Sequence, residues 1–410
     1  MDRAVELVVF ADDWGRHPSS AQHLVRELLR QGLVERVVWV NTIGMRKPRL
    51  RWGDVKRGLK SLRGNSRRAT PRRLGDDEFG QRLRVVSPRM YPGFRNGWQR
   101  RFNARAMRRA VEAAVSVDET VERVGLTTLP ITADLIGAVP AVGRWVYYCV
   151  DDFSVWPGVD HGVMERMEPE LVRKADAVVC VSEVLRSRVE GILGVGHHGG
   201  TEGTEVGGVE RQDAKTPRRQ AVALLTHGVD LKHWQRCDRN GSSEGFLFWG
   251  LLDERLDRDW VDAVVDCGER ITLVGPTADG WIGVMGSGVD QMGPVALGEL
   301  PGLADRHRVL VMPYRDLPVT RAMQPLKLLE YLATYKPVVV RDLPATRGWG
   351  DCCDVVSTAE QFVRVCRERA EGGLPPEQRA ARERRLVGES WSEKARVLHR
   401  VLRGGAGAGR

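Results

Sequence analysis

The chain has no long apolar run. The best stretches, such as 36–40 and 337–340, fall well short of the roughly 18–20 residues that cross a bilayer, so no membrane-spanning helix is expected. The opening run stops at Asp12 and Asp13 and lacks the apolar core and cleavage pattern of a signal peptide, so Met1–Phe10 reads as a first β-strand. Cysteine is sparse as well: seven residues, at 149, 180, 237, 267, 352, 353 and 366, an odd number with no CxxC spacing. That leaves no zinc or dithiol motif, and a reducing cytosol is the expected setting, with contact to the inner membrane face left open. Aromatic residues do not interleave with the basic ones. Trp52 and Trp98 are isolated and no recognised binding motif accompanies them, so no nucleic-acid partner is expected.

What is present is a globular balance, 42% hydrophobic and 29% charged over 410 residues. A chain of this length suits two domains of roughly 150–200 residues each. The net charge of +9 is uneven, because 46–73 holds twelve Lys or Arg against the single acid Asp54. Such a segment most often forms a solvated loop. Its functional reading is attraction to an anionic membrane surface, at about 1 kcal/mol for each nearby cation.

The order of elements is that of an α/β protein. A valine-rich run over Glu6–Ala11, a turn-like stretch, apolar Leu24, Leu28 and Leu29 at helical spacing, and a second run over Arg36–Asn41 make a βαβ unit with a parallel sheet. Further strands are expected at Arg84–Ser87, Thr127–Pro130, Val146–Val150, Ala177–Val181 and Leu224–Asp230. A second series begins at Gly245–Trp249, with strands at Ile271–Gly275, Val289–Gly293, Arg308–Pro313 and Pro337–Arg341, and a helix over Lys327–Tyr335. The expected division is an N-terminal domain over 1–236 with a basic loop at 46–73 and a glycine-rich insertion at 191–219. A linker at 237–244, a C-terminal domain over 245–380 and a basic helical end at 381–410 that returns toward the first domain complete it.

Two segments carry chemistry. In FLFWGLLDERLD, Phe246–Asp257, a hydrophobic strand enters Gly250 and a short loop with Arg255 before a helix. Glycine lets a phosphate approach the backbone, a helix start offers free N–H groups, and a guanidinium pairs with phosphate oxygens. A tight turn beside a surface arginine accounts for the same residues. In TRAMQPLKLLEYLATYKPVVV, Thr320–Val340, Pro325 opens a helix on which Lys327 and Glu330 share a face. Lys327 at a helix start suits a diphosphate and Glu330 suits ribose hydroxyls, while an i,i+3 surface pair suits the dipeptide alone.

The run PLKLLEYLATYKPVVV, preceded by VLVMPY, HGVD and GLLDERLD, resembles bacterial glycosyltransferases of family 4, whose second domains share this order of motifs. ADDWGRHPSSAQHL, WVNTIGMRKPRL and VYYCVDDFSVWPG resemble loops of a subgroup that includes teichuronic-acid and exopolysaccharide transferases. The resemblance implies the GT-B fold, two Rossmann-like doubly wound domains facing an interdomain cleft. It also implies transfer of a sugar from a nucleotide-diphosphate donor to a glycan or lipid-linked acceptor, with retention and no metal or other cofactor. The donor residues implied are Gly250, Arg255, Gly293, Val295, Gln324, Pro325, Leu326, Lys327 and Glu330, with Arg255 and Lys327 stabilising the leaving group. On the acceptor side stand Asp13, Trp14, Gly15, His17, Ser19, Asp151 and Asp152, at the carboxyl ends of strands. The match departs at Leu251, where the family often has Arg, and at Ala322, where it often has a Glu touching the donor sugar. A non-hydrolysing epimerase or a non-catalytic nucleotide binder are the rival readings.

Overall fold

The computed structural model describes residues 3–16, 19–43, 76–195, 221–234, 244–278 and 287–405. The basic segment 46–73, most of the glycine-rich insertion (196–219), His17 and 237–243 of the expected linker lie outside the described residues. The chain divides into two compact units. One comprises 1–225 with 397–410, and the other comprises 226–396.

The first unit is built on β1 (Val5–Ala11), β2 (Arg36–Asn41), β3 (Leu83–Val86), β4 (Glu122–Thr127), β5 (Arg144–Cys149), β6 (Ala177–Cys180) and β7 (Ala221–Leu224), all parallel, in the order β3-β2-β1-β4-β5-β6-β7. Every residue of β1 is buried, as expected for a parallel strand covered on both faces. Its one charged residue, Glu6, is fully buried but accepts bonds from the Ser116 N–H at 3.1 Å and from Arg123 Nε at 3.0 Å. Helix α1 (Ser20–Arg30) is capped by the Ser19 hydroxyl and buries Leu24, Val25, Leu28 and Leu29. Helix α2 (Gly97–Glu112) buries Asn103, Met107 and Val111, one face of 3.6-residue periodicity. Helices α3 (His161–Lys174) and α4 (Glu183–Leu193) follow β5 and β6. The strand order reverses beside β1 and β4, which is where doubly wound sheets open a crevice at their carboxyl ends.

The second unit repeats the plan with β8 (Glu244–Trp249), β9 (Ile271–Val274), β10 (Val289–Met292), β11 (His307–Met312), β12 (Val338–Arg341) and β13 (Asp354–Val356), all parallel, in the order β10-β9-β8-β11-β12-β13. Its switch point lies between β8 and β11. Helices α5 (Arg258–Asp266), α6 (Pro318–Ala322), α7 (Leu326–Ala333), α8 (Ala359–Gly372) and α9 (Pro376–Arg385) follow in turn, and α10 (Trp391–Leu402) begins in this unit while its residues from Val397 on count with the first. Within α9, Arg382 is fully buried and donates to the carbonyls of Cys352 (2.7 Å) and Lys336 (2.8 Å); burial lowers its guanidinium pKa to about 10.

Several elements differ from the sequence-based expectation. β4 starts at Glu122, not Thr127, because Glu122, Arg123 and Gly125 look unlike a strand; a β-carbon at Gly125 would meet the Trp145 ring at 2.5 Å, so the strand needs glycine there. β7 ends at Leu224, where a strand to Asp230 was expected. The following turn packs in the second unit instead. There the His227 N–H donates to Gln324 Oε1 at 2.6 Å, and Val229 pairs with Ser390. Pro325 caps α7 and is not its first helical residue. β13 has only three residues and shows no periodicity to read.

Candidate functional site

At the carboxyl end of β8 the chain reaches Trp249 and Gly250. Gly250 adopts a φ of 149°, and a β-carbon on it would lie 2.1 Å from Lys327 Nζ. Only glycine leaves that space. Lys327 stands in the first turn of α7, where the leading N–H groups have no partner within the helix. Its ammonium lies 4.8 Å from the Phe248 ring centre and 5.0 Å from that of Tyr314, and it donates to the Tyr314 hydroxyl. The two rings meet edge to face at 5.9 Å. A cation is thus held by π faces and a phenol, with no carboxylate hydrogen-bonded to it among the described residues.

Glu330 stands one turn further along α7. Its Oε2 accepts from Trp249 Nε1 at 3.2 Å, while the Trp249 N–H donates to the Tyr331 hydroxyl at 3.1 Å. Trp249 stacks on Trp234 with centroids 5.4 Å apart and planes 5° from parallel. Burial raises the Glu330 carboxyl pKa, opposed by the Trp249 bond and the charge of Lys327.

Arg255 is buried and engaged. Its Nε lies 2.9 and 3.0 Å from the two Asp253 oxygens, and Nη2 lies 2.8 Å from Oδ2. The loop is fastened on both sides. The Arg255 carbonyl accepts from the Arg315 N–H at 2.7 Å, Leu256 pairs with Tyr314, and Asp257 pairs with Arg341. On the other side the Gly250 N–H donates to the Val274 carbonyl at 2.8 Å. Gly250, Lys327 and Glu330 therefore form one group, and Tyr314, which accepts from Lys327, pairs with Leu256 beside Arg255. The Arg255 guanidinium itself answers to Asp253, a residue the sequence reading passed over. Gln324 spends its side-chain oxygen on the His227 turn. Gly293 is exposed beyond β10, the edge strand two places from β8, and Val295 packs on the core; no hydrogen bond joins either to Glu330 among the described residues. Ala322 is buried at the end of α6.

In the first unit the loop after β1 folds around Gln22. Its Nε2 donates to Asp12 Oδ2 at 2.6 Å and to the Asp13 carbonyl at 3.2 Å, and its Oε1 accepts from the Gly15 N–H at 3.0 Å. Ser19 caps α1 and donates to Asp12 Oδ1 at 2.8 Å. Burial raises the Asp12 pKa, with these bonds opposing it. Asp13 makes an exposed 3.4 Å pair with Arg16. Trp14, expected to face an acceptor, is a core residue: it is fully buried, lies edge-on to Trp39 at 4.8 Å, and its N–H donates to Asn41 Oδ1. At the end of β5 the Asp151 carbonyl accepts a weak bond from Cys149 Sγ. Asp152 accepts from the Ser154 N–H at 3.0 Å and pairs with Arg188 at 3.5 Å.

No family model matches the chain. Over 191 residues it is 28% identical to "Putative teichuronic acid biosynthesis glycosyltransferase TuaH" of Bacillus subtilis, covering 45% of this chain and 45% of that protein. The match thus spans less than half the length of that curated relative. Among solved structures, sucrose-phosphate synthase from Thermosynechococcus elongatus superposes with a TM-score of 0.64 at 11% identity, over 98% of each chain. Anabaena HepE in complex with UDP-glucose gives 0.62 at 10% identity, over 97% of this chain and 99% of that one. A UDP-forming trehalose-phosphate synthase from Burkholderia xenovorans gives 0.58 at 13%, over 99% and 100%.

The fold is GT-B. In this GT-B chain the Gly250–Lys327–Glu330 group lies at the carboxyl ends of β8 and β11, on the switch point of the second sheet. Sequence reasoning found the group because glycine after a strand and Lys-x-x-Glu at a helix start are local signals. It missed Asp253, Tyr314 and Trp249, whose roles depend on partners distant in sequence. Asp12 and Gln22, which shape the loop after β1, carried no signal beyond being polar.

Proposed function

We propose that this chain transfers a sugar from a nucleotide-diphosphate donor to a cell-surface glycan or lipid-linked acceptor, with retention and without a metal. The observation that carries the reading is the meeting of Gly250, Lys327 and Glu330. A bare backbone, an ammonium hydrogen-bonded to no carboxylate among the described residues and a helix start form a receptor for diphosphate, and a half-buried carboxylate one turn away suits ribose hydroxyls. As the glycosidic bond breaks, negative charge grows on the diphosphate. Lys327 and the first N–H groups of α7, backbone N–H of Leu326 among them, stabilise that charge more in the transition state than in the bound donor. Arg255, oriented by Asp253, adds its field to the same loop. The neighbouring fold that binds UDP-glucose makes uridine donors the first to test. The acceptor is assigned to the carboxyl ends of β1 and β5, near Gly15, Ser19, Asp151 and Asp152. Residues 46–73 would meet an anionic membrane surface.

The test is calorimetry with UDP and UDP-glucose on the wild type, Lys327→Ala and Glu330→Ala. Each change is expected to weaken binding at least tenfold, about 1.4 kcal/mol. Unchanged affinity in both variants would remove the site. Product analysis then separates transfer from epimerisation, and a turnover assay with EDTA checks the metal-free reading. A second reading, nucleotide binding without transfer, is favoured by Ala322, buried where related enzymes carry a donor-contacting Glu. Nucleotide affinity with no sugar moved to any acceptor would select it.

A further inference from the structure

Helix α2 buries only its Asn103, Met107 and Val111 side. The opposite side carries Trp98 and Phe102, 53% and 52% exposed, with exposed Arg101, Arg105 and Arg109 between and beyond them. Positions 98, 101, 102, 105 and 109 follow the helical repeat, so they form one outward stripe. Tyr91, also exposed, meets Trp98 edge-on at 4.7 Å and widens the aromatic patch. Isolated exposed aromatics are ordinary; three together beside unpaired cations are not.

Along the outward stripe the charge is uncompensated among the described residues, and beside it the arginines are paired. Arg95 pairs with Asp160, Arg100 with Asp134 and Glu170, and Arg108 with Glu112. Arg101, Arg105 and Arg109 have no acidic partner among the described residues. A cavity of about 450 Å³ lies beside the stripe, and its lining includes four arginines, Arg95, Arg100, Arg101 and Arg105, against one carboxylate, Asp134. Because Asp134 already holds Arg100, the free positive charge there comes from Arg101 and Arg105.

We propose that this face of α2 docks on an anionic lipid surface. Trp98, Phe102 and Tyr91 enter the boundary between headgroups and acyl chains, and Arg101 and Arg105 draw headgroup phosphates into the cavity. The chemistry is that of an amphipathic interfacial helix, with apolar burial and attraction to anionic lipid acting together. A nucleic acid is a poorer occupant. Tyr91 and Trp98 stand at 64° to each other, and the side chains radiate from one convex helix, so they offer no platform for consecutive bases. The proposal deepens the membrane-contact part of the functional reading but does not need sugar transfer, and its test uses no donor.

The experiment is flotation of the whole chain with phosphatidylcholine vesicles, with and without phosphatidylglycerol. The wild type is expected to float with the anionic vesicles only, and less as salt rises. Arg101→Glu with Arg105→Glu should lower the bound fraction at least tenfold, and so should Trp98→Ser with Phe102→Ser. The milder pair Arg101→Gln and Arg105→Gln should give a smaller loss in the same direction; circular dichroism and UDP affinity should match the wild type throughout. Wild-type flotation by both pairs would overturn the proposal. So would equal binding to neutral vesicles, or displacement of the protein from vesicles by single-stranded RNA that depends on Arg101 and Arg105.

Discussion

Gly250 and Lys327 constrain each other. A methyl at residue 250 would occupy the place of the Lys327 ammonium, and the φ of 149° already disfavours any side chain. Gly250→Ala is therefore expected to destabilise the protein by about 1–3 kcal/mol in urea unfolding and to weaken UDP binding, because the flexible lysine moves away. At Gly275 the obstacle is the Gly250 carbonyl, 1.8 Å from the β-carbon position, so Gly275→Ala should cost more, since backbone yields less readily than a lysine tip. Glu330 makes a different prediction. Its folded pKa is raised, so the folded state binds a proton more tightly than the unfolded one, and stability falls as pH rises from the ordinary carboxylate range through the raised value. Glu330→Gln keeps an acceptor for Trp249 and should raise the melting temperature at neutral pH by about 2 °C, with the gain shrinking toward pH 4, while UDP affinity drops. These residues were legible because each signal is local. Trp14 gave no such local signal: only its burial against Trp39 shows it as core.

Helices α3 and α4 are tied to β5 by a charge that water does not reach. Glu168 has no exposed surface; it accepts from the Tyr147 hydroxyl at 2.8 Å and from Arg188 at 2.7 Å, and Arg188 also pairs with Asp152. Removing Arg188 leaves a buried carboxylate with only the Tyr147 hydroxyl and no opposite charge on it. Arg188→Met is expected to cost about 3 kcal/mol in chemical denaturation, whereas Arg188→Met combined with Glu168→Leu should recover much of that loss. Equal losses in the single and double variants would show that the pair is not the cause. Nothing in the sequence announces this tie, since its members lie 20 residues apart on separate helices. At the same scale, runs of Val, Leu and Phe mark β1, β8 and β11, while β4 and β13 escape because a glycine, charged residues or mere shortness hide them.

On the scale of the whole molecule, repeated strand–helix alternation made two doubly wound units readable, and each sheet shows the predicted reversal of strand order. Where the chain passes from one unit to the next was less readable, because residues 226–230 look like a continuation of β7 until Gln324, Ser390 and Trp391 are seen to hold them. The second unit has its own hydrophobic core, drawn from Val229 to Leu386. A fragment spanning 226–396 should therefore fold alone and keep UDP affinity within about tenfold of the full chain, as followed by circular dichroism and calorimetry. A fragment that folds but no longer binds would move part of the nucleotide site to the other unit.

The most direct measurement compares UDP with uridine by calorimetry in the wild type, Lys327→Ala and Glu330→Ala. If Lys327 grips the diphosphate and Glu330 the ribose, Lys327→Ala weakens UDP at least tenfold and leaves uridine unchanged, and Glu330→Ala weakens both. Equal UDP affinity in the wild type and Lys327→Ala would contradict the account.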